Sequence, residues 1–224
     1  MHHLKWHRAA AATGAVGLSV LLVACGGSGG TDAKAGGSLT VERVVELARE
    51  VGEDGAEKCP LPYDVDAIAK AAKLGGTVEP APPASTTADT PVTAEDGSGQ
   101  PEEGTAWAVN PGALVSCSYR VGGDALEVHT VGGEKRGVVS LMAPVIQRAS
   151  GMPAAELAPY VTEASGKQPG EAVATGSGNV VTVRLDSGGK GDVALVLTAG
   201  DSGKTSLERG QVLALARAFA SQAK

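Results

Sequence analysis

The stretch 195–205 contains residue types that bind phosphate in nucleotide-binding loops, because it ends in Gly203-Lys204-Thr205 after an apolar segment. In such a loop, backbone N–H groups surround the phosphates and the lysine contacts them. The first glycine of the motif should occupy the position of Thr198, and Gly200 comes two places late. Segment 193–198 also reads as the second strand of a hairpin, whereas this loop needs a strand in a parallel sheet. We therefore predict a polar turn before a capped helix, and no nucleotide binding.

Serine and lysine are separated by two residues at two places, a spacing that serine–lysine catalysts use. The first pair, Ser187 and Lys190, lies in a glycine-rich turn, and the second, Ser221 and Lys224, lies at the C-terminus. Serine–lysine chemistry needs both residues on a buried helical turn beside an oxyanion site. We therefore expect no catalytic residue and no enzymatic activity.

The other side chains with chemical potential also favour structural roles. Asp64 and Asp66 fit a helix cap, while Asp186 and Asp192 flank a turn without the spacing of a calcium loop. His129 falls on the polar face of a predicted strand, where we expect it to be solvated. It is the one histidine after the N-terminal segment, so the sequence predicts no histidine metal site and no cofactor.

The N-terminal residues follow the order of a secretory signal. Lys5 and Arg8 precede an uncharged apolar run at 9–23, which overlaps the box Leu22-Val23-Ala24-Cys25. The run is shorter than the roughly 20 residues that span a bilayer. Residues 1–24 and this box resemble the signal peptides of bacterial prolipoproteins, in which the cysteine of the box is acylated and becomes the first mature residue.

The resemblance implies acylation of Cys25 and a lipid anchor on the extracytoplasmic face of the cell membrane. Two or three acyl chains would hold a protein firmly, because each buried CH₂ contributes about 0.8 kcal/mol. An ordinary secretory signal and a coincidental cysteine are the alternative interpretations.

Two further cysteines, Cys59 and Cys117, follow the box. Outside the cytoplasm such a pair usually forms a disulfide, and two free buried thiols are the alternative. Two cysteines without a neighbouring histidine do not make a zinc site. We predict a disulfide between Cys59 and Cys117.

The charge balance counts against nucleic acid as a partner. The chain has 19 Lys and Arg against 25 Asp and Glu, and loss of residues 1–24 removes two of the basic residues and no acid. The mature protein would then carry a net charge of −8, from 17 basic and 25 acidic residues. Phosphate backbones select a basic surface, and no basic stripe occurs in this sequence.

Apolar periodicity predicts helices and strands after a flexible tether at 25–37. The helices are expected at 41–51, 65–75, 140–150, 153–164 and 205–220, and the strands at 115–121, 125–131, 180–185 and 193–198. Thr205 and Glu208 match a capping box at the start of the last helix. Hairpins followed by helices predict an α+β fold, an antiparallel sheet with helices packed on one face. Strand, turn, strand and helix occur twice, about 65 residues apart, which favours an internal duplication.

Residues 38–224 are predicted to form a single domain with an insertion at about 76–104. The insertion contains five prolines and six acidic residues, and neither Lys nor Arg. Because it has few apolar side chains to bury, we expect it to be disordered. A proline-rich recognition segment is the alternative, although Pro82-Pro83 lacks the neighbouring basic residue of such ligands.

Three features of residues 38–224 support a second resemblance: Cys59-Pro60 at a helix opening, Cys117-x-Tyr119 in a strand, and an alanine-rich last helix. Together they are similar to two-cysteine envelope lipoproteins of actinobacteria, a group of mostly unassigned function. Some of that group are similar to extracellular sensor domains of Ser/Thr kinases. A second disulfide that is often present in the group is missing here.

We therefore expect an envelope lipoprotein that acts as a non-enzymatic binding or sensing module, anchored through acylated Cys25. The expected partners are the membrane, through the lipid, and a small ligand or an envelope protein. A structural or assembly partner of an envelope complex is the first alternative. An extracytoplasmic hydrolase that uses Ser or Asp is the second.

Overall fold

A computed structural model describes residues 38–83 and 88–224. These residues lie within one compact unit, 34–224. Its helices are α1 (Val41–Val51), α2 (Val65–Ala71), α3 (Ala106–Val109), α4 (Ala143–Ser150), α5 (Ala154–Gly166) and α6 (Arg209–Gln222), with a 3₁₀ helix at Val138–Met142. Its strands are β1 (Val78–Pro80), β2 (Val92–Asp96), β3 (Gly112–Val121), β4 (Asp124–Gly133), β5 (Ala172–Ala174), β6 (Val180–Leu185) and β7 (Asp192–Ala199). The α+β class is confirmed.

All strand pairings are antiparallel, as predicted, and the strands lie in the order β1-β3-β4-β7-β6-β5. β2 also pairs with β3, on the edge that β1 occupies. β1 pairs with the end of β3, from Tyr119 to Val121, and β2 pairs with its first part, from Ala113 to Cys117. One edge of the sheet is therefore built from two short strands in succession.

Helices cover both faces of the sheet, so the prediction of one covered face is wrong. Helices α1, α2 and α6 pack on the face that contains Val115, Leu195 and Leu197. The 3₁₀ helix, α4 and α5 pack on the opposite face, against Val131 and Val196. The sequence of β7 is consistent with two covered faces, because all eight of its residues are buried. Successive side chains of a strand point to opposite faces, so a strand that is covered on both faces reads as a nearly continuous apolar run.

The two predicted repeat units are not equivalent in the structure. The hairpin β3–β4 is followed by helices on one face, whereas the hairpin β6–β7 is followed by α6 on the other. The repeated order of elements therefore does not correspond to two copies of one packed unit.

Helix α1 forms where its sequence predicts it. The Thr40 hydroxyl accepts a hydrogen bond from the Arg43 N–H, and Gly52 ends the helix with a positive φ of 68°. The residues that recur at helical spacing are buried against the sheet, including Val44, Leu47 and Ala48.

The last helix begins later than predicted. Helix α6 starts at Arg209, and its capping box is formed by Glu208 and Gln211 rather than by Thr205 and Glu208. The Thr205 hydroxyl instead donates to Asp124 Oδ2 at 3.0 Å. The hydroxyl predicted to cap the last helix therefore binds a carboxylate that is distant in sequence.

The prediction that 76–104 is a disordered insertion is wrong for two of its segments. β1 and β2 both lie within it and pair with β3. Val78 and Val92 are buried and anchor the two strands. Composition could not reveal this pairing, because the backbone hydrogen bonds of an edge strand need few apolar side chains.

The hydrophobic core lies within the compact unit. Within the described residues, two hydrophobic clusters extend from Leu39 to Ala223, so the compact unit carries its own hydrophobic core. A fragment of residues 34–224 is therefore expected to fold by itself.

Among the helices of the described ranges, none has the length and apolar character needed to cross a bilayer.

Candidate functional site

A cavity of about 390 Å³ lies beside the interrupted edge of the sheet. We call it the disulfide cavity, because both Cys59 and Cys117 line it. Its walls come from three parts of the chain: the segment before α2, strand β3, and the ends of β1 and β2. Characteristic lining residues are Leu61, Pro62, Tyr63, Pro80, Pro91 and Tyr119.

The predicted disulfide between Cys59 and Cys117 is present, with 5.6 Å between the two Cα atoms. Cys117 lies in the middle of β3 and is buried, whereas Cys59 is half-buried. The bond therefore fixes the segment Cys59-Pro60-Leu61-Pro62 against the sheet, where Leu61 is buried in the core. This segment forms one wall of the cavity.

The rims of the cavity result from the break between β1 and β2. At this break the Ser118 N–H donates to the Pro91 carbonyl at 2.7 Å, and the Ala81 N–H donates to the Ser118 carbonyl at 3.1 Å. Pro80 and Pro91 line the cavity at the points where the pairing of the chain with β3 ends after β1 and begins again before β2. Proline has no N–H to donate to the hydrogen-bond ladder of a sheet, so a break in an edge strand accommodates it.

An aromatic cluster forms beneath the cavity. Phe219 of α6 lies edge-on to Tyr63, with 4.9 Å between the ring centroids, and its centroid is 5.5 Å from that of Tyr119. These distances are typical of favourable aromatic pairs. The Tyr63 hydroxyl is 3.4 Å from Thr130 Oγ1, so this phenol has a polar neighbour within the protein.

Tyr119 differs from Tyr63 in its hydrogen bonding. Only 4% of its surface is exposed, yet within 38–83 and 88–224 no residue accepts a hydrogen bond from its hydroxyl. Burial raises the pKa of Tyr119, so its hydroxyl remains protonated and can donate. Burial also raises the pKa of Tyr63, against a smaller opposite effect of the Thr130 hydroxyl. The disulfide cavity thus combines mainly apolar walls with the side chain of Tyr119, whose hydroxyl has no hydrogen-bond partner among the described residues.

Other concave surfaces have a different character. A groove of about 450 Å³ along α1 is lined by Glu42, Glu46, Arg49 and Lys190, and therefore has an ordinary charged rim. A cleft of about 320 Å³, which we call the Glu127 cleft, is lined by Glu127, Val145, Arg148, Lys204 and others. The disulfide cavity differs from these two surfaces in having fewer charged side chains in its lining, Glu57 and Lys58, and a mainly apolar lining with few polar groups is typical of small-molecule sites.

His129 is buried, so the prediction that it is solvated is wrong. It is 6% exposed, because the sheet face that the sequence pattern marked as polar is covered by α4 and the 3₁₀ helix. Its Nδ1 is 2.8 Å from Ser116 Oγ, and its Nε2 is 3.3 Å from Glu127 Oε2. The second contact is within ion-pair distance but outside hydrogen-bond geometry.

This row of serine, histidine and glutamate has the residue types of a nucleophile with its base. Ser116, however, lies in mid-strand, with Thr93 on β2 and His129 on β4 directly opposite. Nucleophilic serines of hydrolases stand at exposed turns beside N–H groups that can stabilise an oxyanion. In a strand paired on both sides, the backbone N–H groups serve the sheet instead.

The stretch that resembles a phosphate-binding loop forms a tight turn. Asp201 and Lys204 form an isolated bridge, and β7 before them is antiparallel to both of its neighbours. The Ser206 N–H and the hydroxyls of Thr205 and Ser206 all donate to Asp124. The loop N–H groups that would contact a phosphate donate to carbonyls instead, Gly203 to Ala149 at 2.8 Å and Lys204 to Asp201 at 2.9 Å, in agreement with the predicted polar turn.

The remaining predicted residues have structural surroundings. Asp64 caps α2 by accepting the Ala67 N–H at 2.9 Å, as expected. The Ser221 hydroxyl donates to the Ala218 carbonyl. Ser187 and Lys190 lie in the turn between β6 and β7. Among the described residues, no group of three or more His, Cys, Asp or Glu side chains could hold a metal ion. The proposed lipidation site Cys25 lies outside the described residues.

One buried charge was missed at the sequence level. Asp192 is 1% exposed and accepts two hydrogen bonds from the Arg184 guanidinium, at 3.2 and 2.6 Å. Its other oxygen accepts the N–H groups of Gly137 and Val138 at the start of the 3₁₀ helix. Asp192 therefore joins a sheet strand to the helices that cover it.

Comparison of the chain with models of protein families, with curated proteins and with solved structures found no match.

Proposed function

We propose that this protein is a lipid-anchored, extracytoplasmic binding module without enzymatic activity. In this proposal Cys25 carries the acyl anchor, and the disulfide cavity takes up a small, mainly apolar ligand. The observation that carries the proposal is the cavity itself, with mainly apolar walls and the hydroxyl of Tyr119, which has no hydrogen-bond partner among the described residues. Its volume of about 390 Å³ falls within the range of small-molecule sites.

The extracytoplasmic location is supported by two independent features. The order of residues 1–25 resembles that of a prolipoprotein signal. The Cys59–Cys117 disulfide suits an oxidising compartment, because cytoplasmic thiols are kept reduced.

Binding can be tested with N-phenyl-1-naphthylamine, an uncharged dye whose fluorescence rises in apolar surroundings. The fragment 34–224 should enhance this fluorescence saturably. Val65→Trp should abolish the enhancement, because Val65 lines the disulfide cavity and a larger side chain would fill it. Val145→Trp is the matched control, since Val145 is also half-buried but lines the Glu127 cleft. Absence of binding to the wild type, or equal binding to Val65→Trp, would contradict the proposal.

The anchor can be tested separately in cells that are fed a clickable fatty acid. The full chain should take up the label and fractionate with membranes, and Cys25→Ala should do neither. Labelling of the Cys25→Ala protein to the wild-type level would exclude Cys25 as the acylated residue.

A hydrolase is the second candidate, and the contact of Ser116 Oγ with His129 Nδ1 at 2.8 Å is the observation that favours it. A fluorophosphonate probe would then label Ser116, and labelling would be lost in Ser116→Ala. If the folded fragment remains unlabelled at high probe concentration, the hydrolase candidate is excluded.

A further inference from the structure

We infer that the ligand of the disulfide cavity is an uncharged, largely apolar molecule with one hydrogen-bond acceptor, such as a carbonyl oxygen, that binds the Tyr119 hydroxyl. This inference rests on the proposed function and specifies the chemistry of the ligand.

The position of Tyr119 is fixed by the strand that contains it. Tyr119 lies opposite Pro80 of β1 and Leu126 of β4, so its backbone is held from both sides. Its ring packs against Phe219 of α6. Tyr119 also lines the cavity, so with strand and ring both fixed its hydroxyl is a preorganised donor.

The state of this hydroxyl determines what it can bind. Because burial raises the pKa of Tyr119, the group is a neutral phenol near neutral pH. A phenol O–H that lies next to a ligand without an acceptor loses its hydrogen bond to water, at a cost of about 1–3 kcal/mol. A ligand with a carbonyl or ether oxygen at this point avoids that cost.

The charges around the cavity argue against a charged ligand. Among the described residues, Glu57 and Lys58 are the only Asp, Glu, Lys or Arg residues in its lining, and their formal charges cancel. The rest of the lining consists of aliphatic, proline, tyrosine, serine and disulfide groups. A charged group that entered the cavity would lose its hydration without a net opposite charge to compensate.

Three related dyes separate these properties. N-Phenyl-1-naphthylamine is apolar; 8-anilinonaphthalene-1-sulfonate has the same skeleton with an added anionic group. The third, 6-propionyl-2-dimethylaminonaphthalene, has as many non-hydrogen atoms as the first and carries a carbonyl oxygen. Its emission moves to longer wavelength when this oxygen accepts a hydrogen bond. All three can be titrated with the fragment 34–224.

The critical variant is Tyr119→Phe, which removes the hydroxyl and keeps the ring. The Kd for the carbonyl dye should rise roughly tenfold, corresponding to the loss of one hydrogen bond, and the emission of the bound dye should shift to shorter wavelength. The Kd for N-phenyl-1-naphthylamine should change less than about twofold, because this dye has no carbonyl. The sulfonate dye should bind at least about tenfold more weakly than its uncharged parent.

Tyr160→Phe is the matched control. The Tyr160 hydroxyl has partners within the protein, the Val173 carbonyl at 3.1 Å and Thr182 Oγ1 at 2.9 Å, and Tyr160 does not line the cavity. This variant should bind the carbonyl dye as the wild type does.

The outcomes distinguish the inference from the proposed function. If N-phenyl-1-naphthylamine does not bind the wild type, the proposed function itself fails. If it binds, and Val65→Trp blocks it, while Tyr119→Phe leaves the affinity and emission of the carbonyl dye unchanged, only the inferred acceptor is wrong. Sulfonate binding as tight as that of the uncharged parent would overturn the inferred lack of charge.

Discussion

The hydroxyl of Ser116 lies 2.8 Å from Nδ1 of His129, directly across the strands β3 and β4. The imidazole is buried, and its other nitrogen is 3.3 Å from a Glu127 oxygen. A polar row thus crosses a sheet face that helices cover. Because buried polar groups are costly when unpaired, this contact should contribute to stability.

A double-mutant cycle measures the contribution of this contact. Ser116→Ala should lower the free energy of unfolding by about 1 kcal/mol, and its coupling with His129→Ala should be about 1 kcal/mol. Thr93→Ala is the control, because Thr93 lies opposite Ser116 on β2 and forms no side-chain hydrogen bond with His129. Urea unfolding of the four cycle proteins gives these values. A coupling of zero would mean that the contact has no energetic role.

Loss of the Asp192 charge should destabilise the fold, because it leaves the Arg184 guanidinium without its partner. Asp192→Asn removes the charge but leaves Arg184 half-buried, so we expect a loss of about 3–5 kcal/mol in the free energy of unfolding. Asp186→Asn serves as the control, because Asp186 is exposed and accepts one hydrogen bond, from the Gly188 N–H. Equal small losses in both variants would contradict the structural role of Asp192.

Asp124 should make stability depend on pH in the acid range. Burial raises the pKa of Asp124, but the hydrogen bonds from Ser206 and Thr205 outweigh this effect, and the folded-state pKa lies below the usual 3.8. A lowered pKa stabilises the fold above the unfolded-state value, and this contribution is lost as the pH falls through the folded-state value. The stability difference between wild type and Asp124→Asn should therefore be larger near pH 7 than near pH 3.

Chemical denaturation at the two pH values checks this dependence. Ser206→Ala removes one of the donors and should reproduce part of the effect. An equal stability difference between wild type and Asp124→Asn at both pH values would contradict a stabilising role for the charge of Asp124.

The disulfide should contribute about 4 kcal/mol to the free energy of unfolding, because a loop closed over 58 residues restricts the unfolded chain. The Cys59→Ala/Cys117→Ala double variant of the fragment 34–224 should show this loss in guanidinium unfolding. Mild reduction of the wild type should produce a similar loss. Unchanged stability after verified reduction would contradict the prediction.

The parts of the fold that the sequence predicts are those with a local pattern. Val41, Val44 and Ala48 recur at helical spacing, and Val115, Cys117 and Tyr119 alternate, so α1 and β3 could be identified from neighbouring residues. The Cys59–Cys117 bond could be predicted because the chain offers few other pairings.

The candidate site could be predicted only in part, because it depends on contacts between distant residues. The alternation of β3 predicts the core face for the Tyr119 ring, whereas the cavity beside this ring depends on where Pro80 and Pro91 approach β3. The strand pattern predicts a solvated His129, because it carries no information about the later helices that cover this face. The local pattern predicts a helix cap at Thr205, because the partner of its hydroxyl, Asp124, is 81 residues away.

The central claim is that the disulfide cavity binds a small ligand, and a ¹H–¹⁵N correlation spectrum of the fragment 34–224 titrated with N-phenyl-1-naphthylamine tests it most directly. We predict saturable shifts that are largest at the amides of Cys59, Tyr63 and Tyr119, which line the cavity. Largest shifts at the Glu127 cleft or along α1, or no shifts at saturating dye, would contradict the claim.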